Sequence, residues 1–285
     1  MCSSDLTSWQ TKLSAFLIRR RIKPRLGDMS DIGRVRSLFN QPLPPPPGGR
    51  WESDTLAGVS GEWVTAKAER VDKGVLLYLH GGGFIGCSPR THRPITVALA
   101  LQGWRVFVPD YRLAPEHPFP AALDDALAVW RSLIDTHAGQ RLAIAGDSAG
   151  GNLALALMLH EKNAGRRLPD AAALFSPATD MTGQSPSLVA NTERDVMFRG
   201  EALAQLVRAY LQSHDPADPL VSPLFGDLDG LPPVLLHVGA DEVLRDDSLR
   251  FAQKAQRAGV NARVQIWPGV PHVWQLLWRL PEAKL

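Results

Sequence analysis

The sequence predicts an α/β fold in which helices cover both faces of a mostly parallel central β-sheet. From residue 75 onwards, short apolar runs typical of β-strands alternate with longer runs that have the periodicity of helices. The strand-like runs are almost continuously apolar, as is typical of strands buried on both faces. The chain has 285 residues, 45% of them apolar, which suffices for one large α/β domain or for two small ones.

The N-terminal segment, residues 1–45, is predicted to form a helical cap that precedes a main domain at 46–285. Its apolar residues recur at helical spacing, so we expect the resulting stripe to pack on the main domain as a lid. The proline-rich stretch PLPPPPGG at 42–49 cannot continue a helix and predicts an extended spacer. The stripe consists of Leu6, Trp9, Leu13, Phe16 and Leu17.

A basic run follows this stripe. We interpret it as the solvated face of a helix end, with a membrane-surface or anion-binding role as the alternative. The net charge of the whole chain is only +2, which argues against a dedicated nucleic-acid surface. The run consists of Arg19, Arg20, Arg21, Lys23 and Arg25.

The main domain begins with DTLAGVSGEWVTAK at 54–67, which predicts an antiparallel hairpin. Helical runs separate the strands that follow, and two of these runs end in Ala-Gly, as helix C-termini favour. The segment 181–224 interrupts the alternation with one helix, GEALAQLVRAYLQ. We expect this insertion to contribute to the cap, at the carboxyl edge of the sheet where ligands bind. Strands are predicted at 75–80, 104–111, 141–147, 171–176, 234–239 and 262–267, and helices at 120–134, 148–165 and 244–259.

The stretch AIAGDSAGGNLA at 143–154 carries the strongest chemical signal. A predicted strand runs into G-x-S-x-G and then into a predicted helix, which is the context that a nucleophile elbow requires. A side chain at Gly146 or Gly150 would clash in so tight a turn, and Ser148 would be held at the top of the sheet. Ser148 is therefore the predicted nucleophile, and a glycine-rich turn that happens to contain a serine is the alternative.

A glycine run, His80 followed by Gly81, Gly82 and Gly83, comes directly after the strand predicted at 75–80. Such a run leaves backbone N–H groups unobstructed and able to point at one oxygen. Together with the N–H of Ala149, we expect these groups to form an oxyanion hole. His80 itself is interpreted as a structural hydrogen-bonding residue rather than a base.

A serine nucleophile needs an imidazole to accept its proton, and that imidazole needs a carboxylate to fix its tautomer. His272, in WPGVPHVW, follows the last predicted strand, which fits the order serine, acid, histidine of α/β-hydrolases. His237 lies within a predicted strand and is interpreted as a core residue with its hydrogen bonds satisfied. By pattern, surface loops or helices contain His92, His117, His137, His160 and His214.

Four stretches together resemble the hormone-sensitive lipase family of α/β-hydrolases, in its bacterial esterase branch. They are HGGGF, VPDYRLAPEHPFPAALDD, GDSAGGNLA and PGVPHVW, and the similarity extends over residues 40–278. The resemblance implies Ser148 as nucleophile and His272 as base. It also implies oxyanion N–H groups from Gly82, Gly83 and Ala149, and a cap over an acyl pocket.

Two adjacent carboxylates in GADEVLRDDS at 239–248 compete for the role of the acid. In the family's pattern the acid lies four residues before an acidic residue that opens the next helix, with leucine two positions after the acid. Counting back from Asp246 gives Glu242, with Leu244 two positions later, so Glu242 is the predicted acid. Asp241 is the alternative, because it comes first after the strand and aspartate is the commoner acid. Asp246 and Asp247 are expected in the first turn of the next helix, where carboxylates suit the helix dipole and capping.

We therefore predict a cofactor-free serine carboxylesterase that acts through an acyl-enzyme. A preference for short- to medium-chain esters is implied by the resemblance alone. Amide or lactone hydrolysis by the same residues is one alternative. A non-catalytic small-molecule receptor on this fold is another. The presence of His272 argues against a receptor, because the plant gibberellin receptors that resemble these esterases lack the catalytic histidine.

The cysteine count and the hydropathy limit the cellular location and the binding partners that we expect for the protein. Cys2 and Cys87 are too few for a disulfide framework or a metal cluster, and Cys87 is interpreted as a small buried residue. The sequence contains neither a signal-peptide core nor an apolar span of about 18 residues. We expect a cytoplasmic enzyme for a small-molecule ester, with no cofactor, metal, nucleic-acid partner or stable membrane insertion. A homodimer is left open.

Overall fold

The predicted alternation of strands and helices is present in the computed structural model of the protein, which describes residues 7–284. The strands in this range are β1 (Gly49–Leu56), β2 (Val59–Ala66), β3 (Gly74–Leu79), β4 (Trp104–Pro109), β5 (Leu142–Asp147), β6 (Ala172–Phe175), β7 (Val234–Gly239) and β8 (Ala262–Trp267). They form one sheet in the order β1-β2-β4-β3-β5-β6-β7-β8. β2 pairs antiparallel with β1 and β4, and all other neighbours are parallel, so the predicted mostly parallel α/β sheet is confirmed.

The α-helices of the described range include two that the sequence pattern did not identify, α3 (Pro89–Leu101) and the short α6 (Ser187–Ala190), which is a second helix in the insertion 181–224. Pro94 lies in the interior of α3, where proline normally interrupts a helix. No helix within residues 7–284 combines the length and the apolar character needed to cross a bilayer. The helices are α1 (Trp9–Arg21), α2 (Ile32–Phe39), α3 (Pro89–Leu101), α4 (Ala121–Thr136), α5 (Ala149–Asn163), α6 (Ser187–Ala190), α7 (Gly200–Leu211) and α8 (Arg245–Arg257).

The core lies on both faces of the sheet, because successive residues of a strand point in opposite directions. Leu77 of β3 belongs to the larger core cluster, with Trp130 of α4 and Leu153 of α5. Its neighbour Leu76 belongs to the cluster on the other face, with Ile95 of α3. All six residues of β3 and of β5 are buried, which agrees with their continuous apolar sequence.

The orientation predicted for α1 is wrong. Its apolar stripe faces solvent, while the opposite, more polar face contacts the main domain; Leu6 lies outside the described residues. The buried Thr11 donates its hydroxyl to Glu282 Oε2 at 2.6 Å, and the Ser8 backbone N–H donates to Glu282 Oε1 at 2.6 Å. These polar contacts fix the rotation of the helix. The exposed fractions are 70% for Trp9, 49% for Leu13, 52% for Phe16 and 39% for Leu17.

Candidate active site

Ser148 lies on a sharp turn between β5 and α5. Its backbone angles of φ 52° and ψ −119° fall in a region that residues other than glycine rarely adopt. A Cβ at Gly146 would lie 2.5 Å from Gly150 O, and one at Gly150 would lie 2.0 Å from Leu79 O. The turn therefore requires glycine at both positions, as the sequence pattern predicted. It presents Ser148 at the carboxyl edge of the sheet, directly before a helix.

Three backbone N–H groups lie unused around Ser148. Gly82, Gly83 and Ala149 donate no hydrogen bond within residues 7–284, and all three line the same cavity as Ser148. Positive φ values of 115° at Gly82 and 62° at Gly83 shape the loop. Free N–H donors beside a nucleophile are what a developing oxyanion requires.

His272 lies in the loop after β8 and is paired with a buried carboxylate. Its Nδ1 is 2.6 Å from Glu242 Oε2. Glu242 Oε1 accepts hydrogen bonds from Ser176 Oγ at 2.8 Å and from the Gly239 N–H at 2.5 Å. Burial lowers the pKa of His272, but the Glu242 carboxylate together with the charges of Asp195 and Asp147 raises it by more, so this pKa lies above the ordinary 6.5. The carboxylate is thus fixed on one side of the imidazole, and its charge favours the imidazolium.

His272 and Ser148 line the same cavity, although no hydrogen bond joins Ser148 Oγ to His272 in the described part of the chain. Such bonds are often long in an unliganded enzyme and tighten when substrate binds. Phe198 packs edge-on against the imidazole, with ring centroids 5.1 Å apart. The imidazole is therefore held between an aromatic ring and a carboxylate, at the wall of the cavity that contains Ser148.

Asp241, the alternative acid, has no hydrogen bond or ion pair with His272 in the described residues. It is half-buried and lines a second cavity of 260 Å³, which Glu242 also lines, together with Lys12 and Arg19 of α1. It has no hydrogen bond or ion pair with any residue in the range 7–284. Of the two adjacent carboxylates, the structure thus brings only Glu242 to the histidine.

Asp246 and Asp247 lie in the first turn of α8, as the sequence predicted. Asp247 is buried, however, and its carboxylate accepts hydrogen bonds from a neighbouring loop rather than from its own helix. Oδ2 accepts from the N–H groups of Thr179 and Asp180 at 2.6 and 2.9 Å. Burial raises the pKa of Asp247 to about 6. These hydrogen bonds link α8 to the loop that leads into the insertion 181–224.

Asp147, the neighbour of Ser148, anchors a buried hydrogen-bond cluster that the sequence analysis missed. Its Oδ1 accepts from Tyr78 Oη at 2.8 Å and from the Gly81 N–H at 3.0 Å, and its Oδ2 lies 3.2 Å from His92 Nε2. Burial raises the pKa of Asp147, but its hydrogen bonds and the facing His92 lower it by more, so the net pKa falls below the ordinary value. Because the same carboxylate holds Gly81, the cluster positions the start of the glycine run.

The assignment of His92 to a surface position is wrong, because His92 lies on the buried face of α3 and is only 2% exposed. His80 is predicted to be a structural hydrogen-bonding residue; it is buried, its Nδ1 is 2.8 Å from Gly81 O, and burial lowers its pKa to about 3. His237 is also in the core, stacked against Trp274, but its Nδ1 has no partner in the described residues, so it is not fully satisfied. Cys87 is only half-buried and lines the main cavity; burial raises the pKa of its thiol to about 12. A protonated thiol does not compete with Ser148 as a nucleophile.

The cavity beside Ser148 has a volume of 720 Å³ and a mainly apolar lining. Both segments that the sequence assigned to the cap contribute to it. The N-terminal segment provides Ile18, Ile22 and Leu26, and the insertion provides Leu188 and Leu206, among others. The cavity can therefore hold an apolar group with its polar end near the free N–H donors.

Comparison with known proteins agrees with this geometry. The family model described as the alpha/beta hydrolase fold matches residues 76–276. An acetyl-hydrolase of Streptomyces hygroscopicus is 40% identical over 256 residues, which cover 88% of this chain and 83% of the relative. An esterase of Acinetobacter venetianus is 42% identical over 234 residues, covering 80% and 76%. The solved structure of an esterase from the bacterial hormone-sensitive lipase family is similar with a TM-score of 0.87 and 37% identity, covering 98% of this chain and 95% of that one.

Proposed function

Because the chain belongs to the hormone-sensitive lipase branch of the alpha/beta hydrolase family and is a carboxylic ester hydrolase, we propose that it works as a serine esterase through an acyl-enzyme. In this proposal Ser148 is the nucleophile, His272 the general base and Glu242 the acid that orients it. The observation that carries it is the 2.6 Å contact between Glu242 Oε2 and His272 Nδ1, beside a cavity that also contains Ser148.

Acylation begins when Ser148 Oγ attacks the carbonyl carbon of the ester and His272 Nε2 accepts the hydroxyl proton. The carbonyl oxygen becomes an oxyanion, which receives hydrogen bonds from the N–H groups of Gly82, Gly83 and Ala149. The intermediate collapses, the imidazolium gives its proton to the alkoxide, and the alcohol leaves. Removing one such oxyanion donor typically costs about 3 kcal/mol of transition-state stabilisation.

Deacylation repeats these steps with water as the nucleophile. His272 accepts a proton from water, the resulting hydroxide attacks the acyl carbon, and Ser148 leaves with the proton as the carboxylic acid is released. Glu242 accepts the Nδ1–H of His272, which keeps Nε2 unprotonated and facing the cavity. The bonds from Ser176 and Gly239 keep this carboxylate in place through both half-reactions.

The substrates in this proposal are esters of short- to medium-chain acids. The mainly apolar 720 Å³ cavity supports an apolar acyl group, and residues 1–45 with the insertion 181–224 form the proposed cap over it. We expect the rate on a series of p-nitrophenyl esters, from acetate to palmitate, to be highest among the shorter chains. A maximum at palmitate would contradict the acyl preference.

Parallel assays with a p-nitroanilide and a lactone test amide and lactone hydrolysis. The cytoplasmic location stays a prediction from the sequence, which leaves a homodimer open.

Covalent labelling tests the mechanism directly. Diethyl p-nitrophenyl phosphate should inactivate the enzyme as the Ser148 hydroxyl displaces p-nitrophenolate, and mass spectrometry should find the diethylphosphoryl group on the peptide that contains Ser148. Ser148→Ala serves as the matched control and should stay unlabelled while its circular dichroism spectrum stays that of the wild type. Label on another residue, with Ser148 unmodified, would contradict the assignment.

A further inference from the structure

The outer face of α1 is an exposed apolar surface that catalysis does not use. We define the α1 stripe as Trp9, Leu13, Phe16 and Leu17, all of which are exposed. None of the four lines the main cavity. A cluster of large apolar side chains on the surface marks a contact with another molecule or a membrane.

Polar contacts hold α1 so that this stripe points outward. Glu282 binds the Ser8 N–H and the Thr11 hydroxyl, each at 2.6 Å. Beyond the other end of the helix, Lys23 Nζ donates to the carbonyl oxygens of Thr192 and Asp195, each at 2.6 Å. Turning the stripe inward would break contacts at both ends of the helix. The outward orientation is therefore built into the fold.

Basic side chains frame the stripe. At about 100° per residue, Lys12 lies beside one edge of it and Arg21 beside the other. Arg20 lies over the Phe16 ring, with its guanidinium carbon 5.6 Å from the ring centroid. Lys12, Arg20 and Arg21 are all exposed, and residues 7–26 contain no aspartate or glutamate. The charge is therefore complementary to an anionic surface and repels the same face of a second copy.

We infer that α1 docks reversibly on an anionic phospholipid surface. The α1 stripe enters the boundary between headgroups and acyl chains, while Lys12, Arg20 and Arg21 contact lipid phosphates. The same helix lines the main cavity through Ile18, on its opposite face. Docking would thus place the wall of the acyl pocket at the membrane. This inference does not depend on the roles of Ser148, His272 and Glu242.

Flotation of the full chain with vesicles tests this inference. One set of vesicles is phosphatidylcholine alone, and the other is phosphatidylcholine with phosphatidylglycerol in equal parts. The wild type should float with the anionic vesicles and much less with the neutral ones. Leu13→Ser combined with Phe16→Ser should reduce binding about tenfold or more. Arg20→Gln combined with Arg21→Gln should reduce it about 25-fold.

Matched controls come from exposed residues elsewhere in the chain. Val71→Ser with Phe225→Ser removes as many exposed apolar side chains, and Arg257→Gln with Arg263→Gln removes as many exposed charges. Both control variants should float like the wild type, and thermal unfolding checks that every variant is folded. The inference is overturned if the wild type does not float, or if the stripe variant floats as well as its control. It is also overturned if the wild type is a dimer that the stripe variant converts to a monomer, since a second copy would then cover this face.

Discussion

Two buried histidine–carboxylate pairs flank Ser148, and they differ in how the imidazole is used. In one pair, His272 Nδ1 contacts Glu242 at 2.6 Å, while its Nε2 has no partner in the described part of the chain. In the other pair both ring nitrogens are occupied, because His92 Nε2 lies 3.2 Å from Asp147 and Nδ1 lies 2.9 Å from Thr91 Oγ1.

A general base needs one free nitrogen that can face the reacting atom, and of these two histidines only His272 has a nitrogen without a partner in the described residues. Burial beside a carboxylate is therefore not sufficient to identify a catalytic histidine. We interpret the His92–Asp147 pair as a positioning element for the glycine run and the His272–Glu242 pair as catalytic.

The largest effect is expected from replacing each histidine in turn by phenylalanine, which keeps the ring and removes both nitrogens. His272→Phe should lower kcat for p-nitrophenyl butyrate about 10⁶-fold, since no base remains for Ser148. His92→Phe should keep clearly measurable activity, because it removes only a positioning contact. Equal losses in the two folded variants would show that the distinction drawn from the free nitrogen is wrong.

A smaller effect is expected from Asp147→Asn, which keeps the shape of the side chain and removes its charge. The variant should lose about 2 kcal/mol in free energy of unfolding, because the buried hydrogen bonds that the Asp147 carboxylate accepts are weakened when the acceptor is a neutral amide. Its kcat should fall about tenfold through displacement of the Gly81–Gly83 run, with KM nearly unchanged. Urea denaturation and steady-state kinetics measure the two effects. A wild-type kcat in a folded Asp147→Asn enzyme would remove Asp147 from the positioning role.

The smallest expected effect is a displacement of the pH profile. The pKa of His272 lies above 6.5 in the folded enzyme, so protonation removes the base as pH falls through that raised value. The kcat/KM should therefore decline towards acid pH with an apparent pKa above 6.5. Removing the Glu242 charge should move the midpoint to lower pH, whereas His92→Phe should leave it unchanged. A flat profile between pH 5 and 8 would argue against a histidine base.

The sequence analysis agrees with the structure where short-range geometry dictates the backbone, while the catalytic roles of the residues stay proposals. The tight turn at Gly146–Gly150 leaves no room for Cβ atoms, so the pattern alone located Ser148 at the end of a strand. The register after β7 favoured Glu242 over Asp241, and the structure brings Glu242 to His272. Both inferences rest on residues close together in the sequence.

The sequence analysis failed where contacts between residues distant in sequence determine the structure. The periodicity predicts that the stripe of α1 packs inward, but Glu282, distant in sequence, binds the opposite face of the helix through Thr11. The pattern predicts a surface position for His92 because it does not identify α3, and the partner Asp147 is separated from His92 by 55 positions. Neither contact leaves a signal in local periodicity.

The assignment of Glu242 as the acid that orients His272 is tested most directly by one pair of amide variants. Glu242→Gln and Asp241→Asn each remove one charge from adjacent positions with little change in shape, and kcat for p-nitrophenyl butyrate is measured for both. Glu242→Gln should lose about 10⁴-fold in kcat, because the histidine is then held in the wrong tautomer. Asp241→Asn should keep the wild-type kcat, because Asp241 has no hydrogen bond or ion pair with His272 in the described residues. If Asp241→Asn lost most of its kcat while Glu242→Gln kept the wild-type kcat, Glu242 would not be the acid that orients His272.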